Sequence, residues 1–148
     1  MPINNVSGFS FVFIGKIISA GLQAFFYLMF AAILSPESYG NLSYFLAIAG
    51  TFSMLSLFGS NQTITIFQAK EKSVQANHLS SIVIIITTAV SIYLLTIDYL
   101  VAVLCFSMNL FIMNIHNLIG LKKYKQYMIT NIFKGIFIIS LPIGFYFI

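Results

Sequence analysis

Long apolar runs alternate with short polar breaks along the chain, and the runs are of membrane-crossing length. The first covers 9–34 and stops at Leu34-Ser35-Pro36-Glu37-Ser38-Tyr39-Gly40. It is long enough to span with tilt, and Pro36 just beyond it forbids simple continuation. A second helix is predicted over 41–58, where Ser43, Gly50, Thr51, Ser53 and Ser56 supply small or hydroxylated positions suited to close helix packing. Residues 59–78, centred on Lys70-Glu71-Lys72, form the longest polar stretch and read as a loop with room for a short interfacial helix. The third helix, 79–95, is rich in Ile, Val and Thr, an ordinary composition for a helix in lipid. Only Thr96-Ile97-Asp98-Tyr99 separates it from the fourth, 100–119, so the two are expected to form an antiparallel hairpin. After the basic segment Leu121-Lys122-Lys123-Tyr124-Lys125-Gln126-Tyr127, a fifth helix is predicted over 128–148, with a kink at Pro142. The pattern predicts an all-α, polytopic membrane helical bundle of about five spans, one membrane domain over 1–148.

Composition agrees and removes other classes. Hydrophobic residues make up 59% of the chain and charged ones 7%, which leaves no room for a soluble domain of any size. All seven basic residues are lysine, against three acids, and a dispersed net charge of +4 gives no reason to expect a nucleic-acid partner. Cys105 stands alone in an apolar run, so neither an internal disulfide nor a cysteine-based metal site is expected, and packing is its expected role. Ser-His-Asp sets, glycine-rich phosphate loops, paired carboxylates and HExxH are all missing from the sequence. Neither catalysis nor a cofactor is expected. The first run exceeds the core of a signal peptide and is expected to stay as a helix.

Charge placement gives the orientation. Alternating the helices puts Lys70, Lys72, Lys122, Lys123 and Lys125 on one side and only the acids Glu37 and Asp98 in the opposite connections. By the positive-inside rule the N-terminus is cytoplasmic and the turn after the first helix faces outward.

Polar residues within the runs are the site candidates, because a polar group in lipid needs a partner or water. At helical steps Lys16, Ser19, Ala20, Gln23 and Tyr27 share a stripe of helix one, opposite Ile14, Ile18, Phe25 and Met29. For Ser19 and Gln23 an interhelical hydrogen-bond seam and substrate contact are both open readings. Lys16 and Lys134 each lie about seven residues into a predicted helix, on the order of 10 Å from the cytoplasmic boundary. Each either snorkels to the headgroups or faces a cavity, where two cations would bind a phosphate or diphosphate. Asn109 and His116, seven apart on helix four, share a face expected to look inward. His116 has no Cys, Asp or Glu near it in sequence to complete a metal site, so no metal is expected there.

The turn Leu34-Ser35-Pro36-Glu37-Ser38-Tyr39-Gly40 resembles the Leu-x-Pro-Glu-x-Tyr-Gly turn between the first two helices of polysaccharide or oligosaccharide-lipid flippases. These belong to the multidrug/oligosaccharidyl-lipid/polysaccharide exporter superfamily. Leu57-Phe58-Gly59 closing helix two, a tight hairpin between the third and fourth helices and a basic loop before the fifth are similar to the same family's N-terminal part. The resemblance covers nearly the whole chain. It implies secondary transport in the cell membrane, with a lipid-linked, phosphate-bearing saccharide moving through a cavity between two helical lobes. Lys16 best fits the family's tendency to line that cavity with cations; Lys134 fits less closely, and Gln23, Asn109 and His116 are expected along the path. Family members have about a dozen or more helices, so this chain is expected to supply a partial lobe. Either it is a fragment or split-gene product whose other lobe comes from another chain, or copies of it supply each other's missing half. The bare hydrophobic end at Ile148 points to truncation, although a complete small protein is also compatible with it. The rival expectation is a non-transporting scaffold or remnant subunit packed against a glycan-assembly enzyme; a drug exporter of the same superfamily is a third.

The topology predicts that reporter fusions at Glu37 and Lys123 read opposite sides of the membrane; the same side for both would refute it.

Overall fold

The computed structural model describes the backbone of residues 3–146 and the side chains of residues 8–136 other than Phe9. Among these residues it contains α1 (Ile3–Ile33), α2 (Pro36–Leu57), α3 (Ser60–Ala69), α4 (Ser73–Leu95), α5 (Tyr99–Gly120) and α6 (Tyr124–Tyr146), with no strand. All five expected spans are helices, and α3 forms inside the stretch read as a loop with room for a short helix. Helices α4 and α6 begin at Ser73 and Tyr124, ahead of the predicted 79 and 128. Hydropathy marks where a helix enters hydrocarbon, whereas the hydrogen-bonded ladder carries on into the polar boundary. Pro142, the expected kink, lies outside the described side chains, and residues 147–148 lie outside the described backbone.

The helix starts have local causes. Ser35 caps α2: its Oγ accepts from the Ser38 N–H at 3.3 Å and its carbonyl from the Tyr39 N–H at 2.9 Å. Pro36 then occupies the first helical position, where its missing N–H costs nothing. Asp98, in extended backbone, caps α5 by accepting from the N–H groups of Leu100 at 2.7 Å and Val101 at 3.3 Å. Helix α3 ends on Glu71, whose φ of 59° is left-handed. The Glu71 N–H bonds the Gln68 carbonyl and the Lys72 N–H the Phe67 carbonyl, the paired bonds that close a helix at such a residue.

The chain divides into two compact units, residues 1–39 with 122–148 and residues 40–121. In the first, α1 packs along α6. In the second, Ala49 of α2, Leu94 of α4 and Val101, Ala102 and Cys105 of α5 form one buried apolar cluster, flanked by Phe45, Ile48 and Phe52. A further cluster of Leu57, Ile64, Val83 and Met113 draws α3 against α4 and α5. Helix α3 buries Ile64 and Gln68, four apart, and so presents one face to the bundle. At Gly120 a Cβ would lie 2.8 Å from the Thr65 carbonyl oxygen, so the backbone of α5 meets α3 where only glycine fits.

A polar node sits between these clusters. Asn109 is 0% exposed; its Oδ1 accepts from the Ser53 hydroxyl of α2, and its Nδ2 donates to Thr87 Oγ1 of α4 at 3.2 Å. One amide thus ties three helices together.

Outward faces are apolar. Leu28, Met54 and Ile85 are 72%, 77% and 68% exposed, values that suit contact with acyl chains. Ser10–Ile33, Pro36–Leu57, Ser73–Leu95 and Tyr99–Gly120 are each long and apolar enough to cross a membrane. The protein is a helical membrane bundle.

Asn109→Ala is expected to destabilise the bundle by about 1–2 kcal/mol in denaturant titrations of the detergent-solubilised protein. Ser53→Ala and Thr87→Ala should each cost less than Asn109→Ala, since each hydroxyl makes only one of the two bonds; a silent Asn109→Ala would show that the node does not hold the helices.

Candidate functional site

Three of the candidate residues, Lys16, Gln23 and Lys134, belong to the first unit, and its geometry starts from glycine. A Cβ on Gly8 would lie 2.5 Å from the Tyr124 ring, one on Gly15 would lie 3.1 Å from the Met128 Cα, and one on Gly135 would lie 2.8 Å from Leu22 Cδ1. At each contact one helix presents only backbone to the other, and at Gly15 the two backbones come close. The contacts rise together along both helices, Gly8 with Tyr124, Gly15 with Met128 and Leu22 with Gly135, so α1 and α6 run parallel. Asn131 secures the pair: it is buried, and its Nδ2 donates to the Gly15 carbonyl at 3.4 Å and to the Tyr127 hydroxyl oxygen at 3.2 Å.

This pairing uses one face of α1, on which Ser19, Phe26 and Phe30 are buried. Ser19 therefore belongs to the contact face. Lys16, Ala20 and Tyr27 are exposed and Gln23 is half-buried, on a strip roughly a quarter-turn around the helix from that face. Lys134 is half-buried beside the Gly135 contact. The two lysines do not lie at matching depths. With Asn131 bonded to Gly15 and Gly135 against Leu22, Lys134 sits on the order of 7 Å further along the pair than Lys16. The register of the pair sets this offset, since Gly15 lies beside Met128 and Leu22 beside Gly135.

Asn109 and His116 belong to the second unit. Asn109 is closed off at the node described above, so in this arrangement it lines no open path. His116 is half-buried where α5 meets α3: Asn61 Nδ2 lies 3.3 Å from its Nε2 and Thr65 Oγ1 lies 3.1 Å from its Nδ1. The Gln62 N–H donates to Asn61 Oδ1 at 2.9 Å, which fixes the Asn61 amide with its NH2 toward the ring. An amide nitrogen only donates, so in this arrangement Nε2 accepts from Asn61. The Thr65 hydroxyl also lies 3.1 Å from the Asn61 and His116 carbonyls, either of which can take its proton. Among the described residues no group of three or more His, Cys, Asp or Glu is placed to hold a metal ion.

The sequence reading missed the glycines that set the α1–α6 contact and the residues that engage His116. The spacing of seven between Gly8 and Gly15 was the available signal, because it repeats one helix face. Asn61 and Thr65 lie four apart and so share a face of α3, but only the knowledge that 60–69 is helical gives that spacing a meaning.

No characterised protein and no solved structure matches the chain. A family described as "Polysaccharide biosynthesis protein" matches it over residues 6–146, nearly its whole length. With four helices of spanning length and apolar outer faces already in place, the match completes the assignment: the chain belongs to the polysaccharide biosynthesis protein family of membrane proteins.

Proposed function

We propose that this chain is a transporter module, multi-pass in the cell membrane, that flips or exports a saccharide linked to a lipid phosphate or diphosphate for surface polysaccharide assembly. It acts by moving its substrate and not by changing it. The observation that carries the reading is the uncovered polar strip of α1. Lys16 is exposed within a helix of spanning length, beside half-buried Gln23, while the neighbouring face is closed on α6. A cation at that place needs water or an anionic partner, and a cavity completed by a second lobe supplies both. That lobe lies outside residues 1–148. Lys134, on α6, is the other lysine of the same unit that stands inside an apolar run. Family membership supports the polysaccharide side of the reading.

A second reading, a non-transporting scaffold beside a glycan-assembly enzyme, draws on the other unit. There Asn109 and His116 are engaged in hydrogen bonds between helices, as expected of a packing module.

Lys16→Ala separates the two. Under the transport reading, surface glycan falls by about tenfold or more while the amount of protein in the membrane is unchanged, and Lys16→Arg restores much of it because charge is kept. Full export by Lys16→Ala removes Lys16 from transport and favours the scaffold.

A further inference from the structure

A groove of about 410 Å³ opens at the start of α6, walled by Gly8 and Phe11 of α1 and by residues 122–126. Its size falls within the usual range of small-molecule sites, roughly 300–1,000 Å³. Three of its lining residues are the lysines Lys122, Lys123 and Lys125, and no carboxylate lines it. We propose that this groove holds the phosphate of an anionic membrane phospholipid at the cytoplasmic boundary.

The charges there are placed against the local rule. A helix start carries partial positive charge and open N–H donors, and acids are favoured at it. The two starts on the opposite side follow this: α2 has Glu37 in its first turn and α5 is capped by Asp98. Helix α6 has no acid in its first turn; Lys125 lies inside that turn and Lys123 just before it. The first ladder bond of α6 runs from the Tyr127 N–H to the Lys123 carbonyl at 3.0 Å, which leaves the N–H groups of Tyr124, Lys125 and Gln126 without an intrahelical acceptor. Three lysines that line the groove and three open amide donors thus lie together at one helix start, where an anion resolves both excesses. The walls suit a lipid. Gly8 lets the Tyr124 ring lie directly on α1, and Phe11 adds an apolar side on which the start of an acyl chain can rest. Lysines are point charges without arginine's fork, which fits a mobile phosphodiester better than a rigidly gripped group. Lys122 has a left-handed φ of 58°, a conformation that glycine adopts more readily. This site does not depend on the transport reading.

The test uses the purified full chain in mixed micelles, with retained lipid counted by native mass spectrometry. Phosphatidylglycerol is expected to bind about tenfold or more tightly than phosphatidylcholine. The Lys122→Gln, Lys123→Gln, Lys125→Gln variant loses that preference. Lys70→Gln with Lys72→Gln, which removes charge from the same membrane side outside the groove, keeps it. Lys122→Gly guards against misfolding of the triple variant: it relaxes the backbone, so it should melt no lower than the parent while weakening phosphatidylglycerol severalfold. Equal loss in the Lys70/Lys72 variant would overturn the proposal in favour of diffuse surface charge, and an unchanged preference in both groove variants would also overturn it. Displacement of the lipid by millimolar inorganic phosphate would make this a soluble-anion site, and tighter binding of a polyprenyl diphosphate would make it a site for the transported class; either result overturns the assignment to bulk phospholipid.

Discussion

In hydrocarbon a polar group has no water to fall back on, and the arrangement of this protein follows from meeting that demand inside the chain. The Asn109 amide meets it for Ser53 and Thr87 and in doing so ties α2, α4 and α5 together. Asn131 meets it by reaching the Gly15 carbonyl, which is accessible because the glycine contacts of α1 and α6 bring the backbones close. His116 meets it between Asn61 and Thr65, which lie at its two ring nitrogens. Small residues and polar residues therefore act together: the first allow the approach, and the second need it. Lys16 stands apart from these bonds, since its strip lies away from the helix pairing that serves its neighbours.

The spans were legible from hydropathy because the bilayer imposes one length on every crossing, and the turn at Ser35-Pro36-Glu37 was legible because capping is local chemistry. Helix α3 was less so. Its ten residues are too few and too polar to register as a span, and it becomes visible only through Ile64 and Gln68 packing on helices far along the chain. Candidate side chains were legible as polar residues in apolar runs, but their surroundings were not. Angle alone grouped Ser19 with Lys16, yet the contact face passes between them. Asn109 and His116 share a face of α5, as their spacing indicated, but their partners come from α2, α4 and α3, which no spacing within α5 reveals.

Cationic residues follow the same division between local and tertiary causes. The positive-inside expectation groups Lys70, Lys72 and the three lysines of 122–125 on one side. Position within the element adds a further regularity: lysine stands in and before the first turn of α6 and at the N-cap of α4, where α2 and α5 carry acid instead. The regularity is visible only once the helix boundary is known.

The first unit is made from the two ends of the chain, with the whole second unit threaded between them. This imposes an order on synthesis. Residues 40–121 emerge and can gather their four helical segments while α1 still waits in the bilayer, its Gly8–Gly15 face uncovered, because the α6 surface that fits it lies over a hundred residues downstream. Helix α1 is thus made before the whole second unit yet pairs only after it, and in the interval Lys16 and the glycine face are exposed to whatever else the membrane offers. A holding contact during that wait, from lipid or from the insertion machinery, would bear on yield without leaving any trace in the finished fold.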